Sequence, residues 1–169
     1  MKRILSAALL GSLLLVLSAC SGVITVDVGL PEGVTITNAN YSSNYQANVE
    51  GSTQDVICDD RTTELSYSFR FSGNLNGWQS YLRGVTTGNI TGRESFTLDS
   101  RFVDYNSSTN TVTVRYEIPA RSAPLAINPQ AIVIQPKVEG YTQLFLEFNG
   151  ATGAYDLLSD DIPVLASCN

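Results

Sequence analysis

Two stretches of strict alternation constrain this chain more than any other feature. In ELSYSFRF, Leu65, Tyr67, Phe69 and Phe71 fall on one side, and Ser66, Ser68 and Arg70 on the other. In TVTVRYEI, Val112, Val114, Tyr116 and Ile118 oppose Thr111, Thr113, Arg115 and Glu117. A period of two, apolar against polar, is what a strand with one buried face requires. No segment beyond the first twenty residues carries a convincing apolar stripe at helical spacing, so the chain reads as all-β.

Further strands are expected at Val23–Leu30, Val34–Thr37, Gln54–Cys58, Trp78–Gly84, Ala131–Val138, Tyr141–Phe148 and Ile162–Ser167, separated by turn residues such as Asn76-Gly77 and Asn149-Gly150. The best hairpin joins ESFTLDSRFVDY, read as one strand, to TVTVRYEI through Asn106–Asn110. Pairing Tyr105 with Thr111 would set Phe102 against Val114 in the core and Arg101 diagonal to Glu117 on the solvated face. TTGNITGRES reads as a polar turn, and Pro119–Pro129, with three prolines, as coil or an edge connection. Many short strands at this spacing predict one antiparallel β-sandwich, immunoglobulin-like or jelly-roll-like.

The first twenty residues have a different logic. Lys2 and Arg3 precede an apolar run, Ile4–Leu17, that closes on small residues and Cys20, the layout of a secretory signal helix. A permanent membrane span would need ~20 apolar residues, more than this run supplies. Leu17-Ser18-Ala19-Cys20 resembles the bacterial lipobox. The resemblance covers these residues alone. It implies that residues 1–19 are a signal peptide, that cleavage leaves Cys20 at the front of residues 20–169, and that Cys20 carries diacylglyceryl and acyl groups. Several acyl chains, at about 0.8 kcal/mol per buried methylene, hold a protein at a membrane without a spanning helix. Ser21, where Asp favours inner-membrane retention in such lipoproteins, implies the outer membrane if the source is Gram-negative. With only Ser21 and Gly22 before the first strand-like run, the domain should sit close to the membrane.

Assigning Cys20 to lipid leaves Cys58 and Cys168 as a pair, and an exported compartment permits them to form a disulfide. Two buried reduced thiols are the other reading. Loss of Lys2 and Arg3 leaves eight basic residues against sixteen acidic ones, so nucleic acid is an unsuitable partner.

The chain has no histidine, which removes Ser-His-Asp and Cys-His catalysis and the usual zinc sites together. No dinucleotide or phosphate-loop fingerprint is present, and no cofactor is implied. What remains is paired-carboxylate chemistry, for which Glu117 and Glu147 are candidates; Glu147 shares its face with Tyr141, Gln143 and Phe145, a stripe able to stack sugars. Against this, strand acids are mostly solvated and Arg101 offers Glu117 a partner. Asp59, Asp60, Asp160 and Asp161 are weaker calcium candidates, since acidic pairs at turns are usually solvated too. Tyr41, Tyr45, Trp78 and Tyr141 suggest an adaptable binding surface, with Trp78 as a core plug the simpler reading. The expectation is a lipid-anchored envelope protein with a binding or structural role toward an envelope protein or glycan, without catalysis. The alternative is a carbohydrate-binding module or small glycoside hydrolase.

Overall fold

The computed structural model describes residues 22–26, 33–123, 137–150 and 153–168. Cys20, the lipobox, most of the proline-rich segment and the expected strand over 131–136 lie outside them. Among the described residues all regular structure is strand. The strands are β1 (Gly22–Val26), β2 (Thr35–Ser43), β3 (Gln46–Val49), β4 (Ser52–Asp55), β5 (Ile57–Cys58), β6 (Thr63–Ser72) and β7 (Trp78–Gly84). They continue with β8 (Ile90–Phe96), β9 (Val103–Asn106), β10 (Thr111–Ile118), β11 (Val138–Gly150), β12 (Gly153–Ser159) and β13 (Ile162–Leu165).

β1, β2, β6, β10 and β9 lie side by side in that order, and β1 also pairs with β12. From β12 the sheet continues to β11, which pairs further with β13 and β7; β8 flanks β7, and β5 runs parallel to β13. β3 and β4 form a hairpin of their own. β1 thus joins two groups of strands whose apolar faces meet. Phe69 of β6 sits edge-on to Trp78 of β7 and Phe148 of β11, with ring centroids 5.3 Å away in each case. The alternation in ELSYSFRF is the cause: Leu65, Tyr67 and Phe69 are fully buried, and Val112 and Val114 beside them are as well. Each such side chain contributes about 1.5–3 kcal/mol by leaving water.

A second, smaller cluster gathers Val49, Val56, Cys58, Leu165 and Cys168. Cys58 and Cys168 are bonded as a disulfide across 110 residues of sequence, with Cα atoms 5.7 Å apart. The penultimate residue is thereby fixed to the first half of the chain.

The structure departs from the sequence reading in the stretch Asn38–Asn48, read as a loop but largely strand in β2 and β3, in the unexpected β12, and in the parallel β5–β13 pair of a fold expected to be antiparallel. Three further departures shape the candidate site. The segment read as one strand over Glu94–Tyr105 is two strands on different groups, because the chain turns between them. Thr97 N–H donates to Ser100 Oγ at 2.8 Å, Ser100 N–H to the Thr97 carbonyl at 3.1 Å and Val103 N–H to the Ser100 carbonyl at 3.0 Å. Such local bonds offer the backbone an alternative to a ladder. Second, the β9–β10 register is one residue away from that expected: Asn106, not Tyr105, pairs with Thr111, and Val103 pairs with Val114. A one-residue slip exchanges faces, so Phe102 is 59 % exposed rather than in the core; on the other side of β10, pairing with β6 sets Glu117 opposite Glu64. Third, most of TTGNITGRES is strand β8. Its pairing with β7 shifts between Ser80 and Leu82, where Gly92 takes φ +63°, a backbone that glycine adopts without a Cβ clash.

Candidate functional site

The tyrosines and tryptophan expected at a binding surface go to different places. Trp78 is 1 % exposed and Tyr41 is 5 % exposed, so both belong to the core. Tyr41 is turned inward by a bulge between Thr37 and Asn40, with Asn38 at φ +52°. The bulge changes the parity of the strand, so that Ile36 and Tyr41, five residues apart, face the same side. Burial, reinforced by Asp160, Asp55 and Asp161, pushes the Tyr41 hydroxyl up to about 12. Tyr45 is half-buried against the disulfide cluster, with the Arg61 guanidinium 5.9 Å from its ring centre. Tyr141 is half-buried, and burial followed by Glu50 and Asp161 raises its pKa.

The mixed stripe on β11 is occupied by its own side chains. Phe145 stacks on Tyr81 with centroids 5.1 Å apart and planes 3° from parallel. Arg83 lies 4.3 Å from the centre of Phe145, and Arg93 4.3 Å from the centre of Tyr81. The column Arg83–Phe145–Tyr81–Arg93 covers the ring faces a sugar would need, and Arg93 also pairs with Glu147 at 3.5 Å. Glu147 and Glu117 are not brought together. Leu146 and Phe148 point into the shared core and so do Val114 and Ile118, which leaves the two carboxylates on opposite outer faces.

Of the acidic pairs, Asp60 ties down the residues around Cys168. The Asp60 carboxylate pairs with Arg61 at 3.1 Å, accepts Ser167 Oγ–H at 2.7 Å and lies 3.4 Å from the Cys168 N–H. Hydrogen bonds from Arg61 and then Ser167 bring its carboxyl down to about 2. Asp59 is shifted the other way, raised first by burial and then by Glu139. Asp160 and Asp161 lie beside Tyr41 instead, and Asp161 accepts a 2.7 Å bond from Gln143. Among the described residues no group of three or more acidic or cysteine side chains gathers in a way that could hold a metal ion.

The described residues also line a crevice beside β10. It measures about 330 Å³ and is lined by Glu64, Glu94, Phe102, Arg115, Tyr116 and Glu117. Each element contributes for a traceable reason. Glu64 and Glu117 are directly paired across β6 and β10, an arrangement of like charges that destabilises a ladder by roughly 0.2–1 kcal/mol. Glu94 lies opposite the buried Ser80 and so occupies the inward side of β8, at the outer strand of its group. Among the described residues none of the three carboxylates has an ion pair or a hydrogen bond. Tyr116 sends its ring inward, edge-on to Tyr67 at 6.2 Å. Its hydroxyl is buried without a hydrogen-bond partner among the described residues, and burial, then Tyr67 and Glu94, raise its pKa well above that of a free tyrosine.

Sequence reading singled out Glu117 but missed its companions. Glu64 stands at the head of the most regular strand, where it looks like an ordinary solvated residue. Glu94 falls in a stretch read partly as a turn, and Phe102 and Tyr116 look like core residues. The local signal was Thr97, Asp99 and Ser100 in sequence, three side chains that favour a turn over a strand and so expose Phe102. Compared with models of known protein families and with curated proteins, the chain matches none.

Proposed function

We propose that this chain is a lipid-anchored protein of a bacterial envelope, with residues 1–19 acting as its signal peptide and residues 20–169 forming one β-sandwich that binds a partner there. The observation that carries the reading is the disulfide between Cys58 and Cys168. Such bonds persist in oxidising, extracytoplasmic compartments and are rare in the cytosol, which agrees with a signal peptide followed by a lipobox. The two apolar faces meeting around Phe69, Trp78 and Phe148 support the sandwich. The crevice between β8 and β10 offers a concave surface for a binding role, and its three carboxylates, unpaired among the described residues, set the chemistry.

Cells fed an alkyne analogue of palmitate should label the wild-type chain and leave a Cys20→Ala variant unlabelled; equal labelling of both would remove the lipoprotein reading. The alternative, a glycan-binding or glycan-cleaving domain, is supported by the gathering of Glu117, Glu64 and Glu94 beside Phe102. It would use that set and not Glu147. Binding of envelope glycan fragments that is lost in Glu117→Gln would favour it.

A further inference from the structure

β9 covers the outer edge of β10 only from Thr111 to Val114. The chain leaves that lane at Phe102, turns through residues 97–102 and belongs to the other group of strands as β8. Alongside Arg115–Ile118 no described strand takes its place. The crevice adjoins this edge: Arg115, Tyr116 and Glu117 form one wall, Phe102 stands at the mouth of the vacated lane, and Glu94 faces them from β8. An uncovered strand edge presents backbone N–H and C=O groups to whatever can pair with them.

The side chains select the occupant. Glu64, Glu94 and Glu117 stand against the single guanidinium of Arg115; Arg101, 5.7 Å from the Phe102 ring, lines the neighbouring recess of about 240 Å³ with Asp104. The balance around the crevice is acidic and calls for cations. The buried Tyr116 hydroxyl, without a partner and in the field of Glu94, is a further polar group at the inner wall. An ammonium on a long apolar stem fits such a place, since its methylenes can lie along Phe102 while its charge meets the carboxylates.

We propose that this crevice takes a short, extended, lysine-bearing segment of another protein, which adds a strand beside Arg115–Ile118 while its cations, all on the outer face of that strand, pair with Glu64 and Glu117, and Glu94 adds to the acidic field from the inner side. Backbone bonds along the edge would give affinity, and alternate side chains would give selectivity, as in other cases of strand addition. Glu64 and Glu117, a mutually repelling pair in the free protein, become an attractive one when a cation lies between them. The inference deepens the binding half of the reading above and does not depend on the lipid, which palmitate labelling tests separately.

Three acetylated and amidated pentapeptides serve as probes for the full chain in mild detergent. One alternates lysine with valine, one glutamate with valine, and one lysine with proline, which keeps the charge but cannot form a ladder. Calorimetric titration should show binding of the lysine–valine peptide alone. That binding should weaken by about tenfold in a Glu64→Gln/Glu94→Gln/Glu117→Gln variant, as expected for two partly exposed charge pairs and the loss of a third nearby negative charge. Amide exchange in residues 115–118 should slow when the peptide is bound. Equal binding of the lysine–proline peptide would overturn strand addition, and equal binding of the glutamate–valine peptide would overturn the charge argument. Absence of binding with unchanged exchange would overturn the whole proposal. Should the triple variant fail to fold, the peptide comparison on the wild-type chain still decides between these outcomes.

Discussion

The hydroxyl of Tyr67 accepts the Trp78 indole N–H at 2.8 Å, with both rings out of water. Removing that acceptor would strand a buried donor, which costs about 1–3 kcal/mol. Tyr67→Phe should therefore lower the unfolding free energy by that amount in urea titrations, although it adds no cavity and removes no apolar surface. Asp60 makes a prediction in pH. Its carboxyl is held down to about 2 from an ordinary 3.8 by Arg61 and then Ser167, so the charged form is favoured in the folded chain. What this contributes to holding the C-terminal residues is fully present above pH 3.8 and is lost as pH falls through about 2. A carboxyl-carbon NMR titration should place the midpoint of Asp60 near 2 in the wild type and nearer 3.8 in Arg61→Ala; an identical midpoint in both would refute the assignment of cause. Of these residues, alternation placed Tyr67 inside without help. The inward turn of Tyr41 could not be read, because a bulge reverses the pattern within a polar stretch.

At the scale of elements, β6 and β10 follow directly from the sequence, since each alternates apolar and polar residues without interruption and packs on the same core. What was lost is the point at which a strand stops. TLDSRF continues the alternation of its neighbours on paper, but Thr97, Asp99 and Ser100 bond within their own turn, and the register beyond it moves by one residue. The same event builds the candidate site: it exposes Phe102 and opens the far half of β10, next to the Glu117–Glu64 pair that the β6–β10 register sets. Charge reversal at that pair is a clean probe. Glu117→Lys should stabilise the protein by roughly 0.2–1 kcal/mol through an attractive cross-strand pair, while weakening the lysine–valine peptide. A variant that is both less stable and unchanged in binding would show that the pair is neither a strain nor a site. Gly73 is a second element-level constraint. A Cβ built there would lie 1.9 Å from the Gly33 carbonyl oxygen, so Gly73→Ala should lower the thermal midpoint by forcing apart the segments that lead into β2 and out of β6.

For the whole molecule, the strand pattern and the Cys58–Cys168 bond are the structural ground for the history we propose from the leader-like first residues: export, folding in an oxidising space and attachment at a membrane. The all-β character was legible because the apolar period is two in β6 and β10 and no helical stripe competes with it. The pairing of the cysteines was legible only as an elimination that began with Cys20, since no sequence rule states which thiols meet. The acidic crevice was not legible as a unit, because its residues come from β6, β8, β10 and the turn before β9, and only the topology brings them together. The disulfide closes a loop of 110 residues, so replacing both cysteines with alanine should cost about 2–5 kcal/mol. The most direct test of the account is peptide mapping by mass spectrometry of the chain purified from envelopes without reductant. It should find an acylated amino-terminal peptide beginning at Cys20 and a linked pair of peptides containing Cys58 and Cys168. A chain that begins at Met1 and carries free thiols at both positions would contradict it.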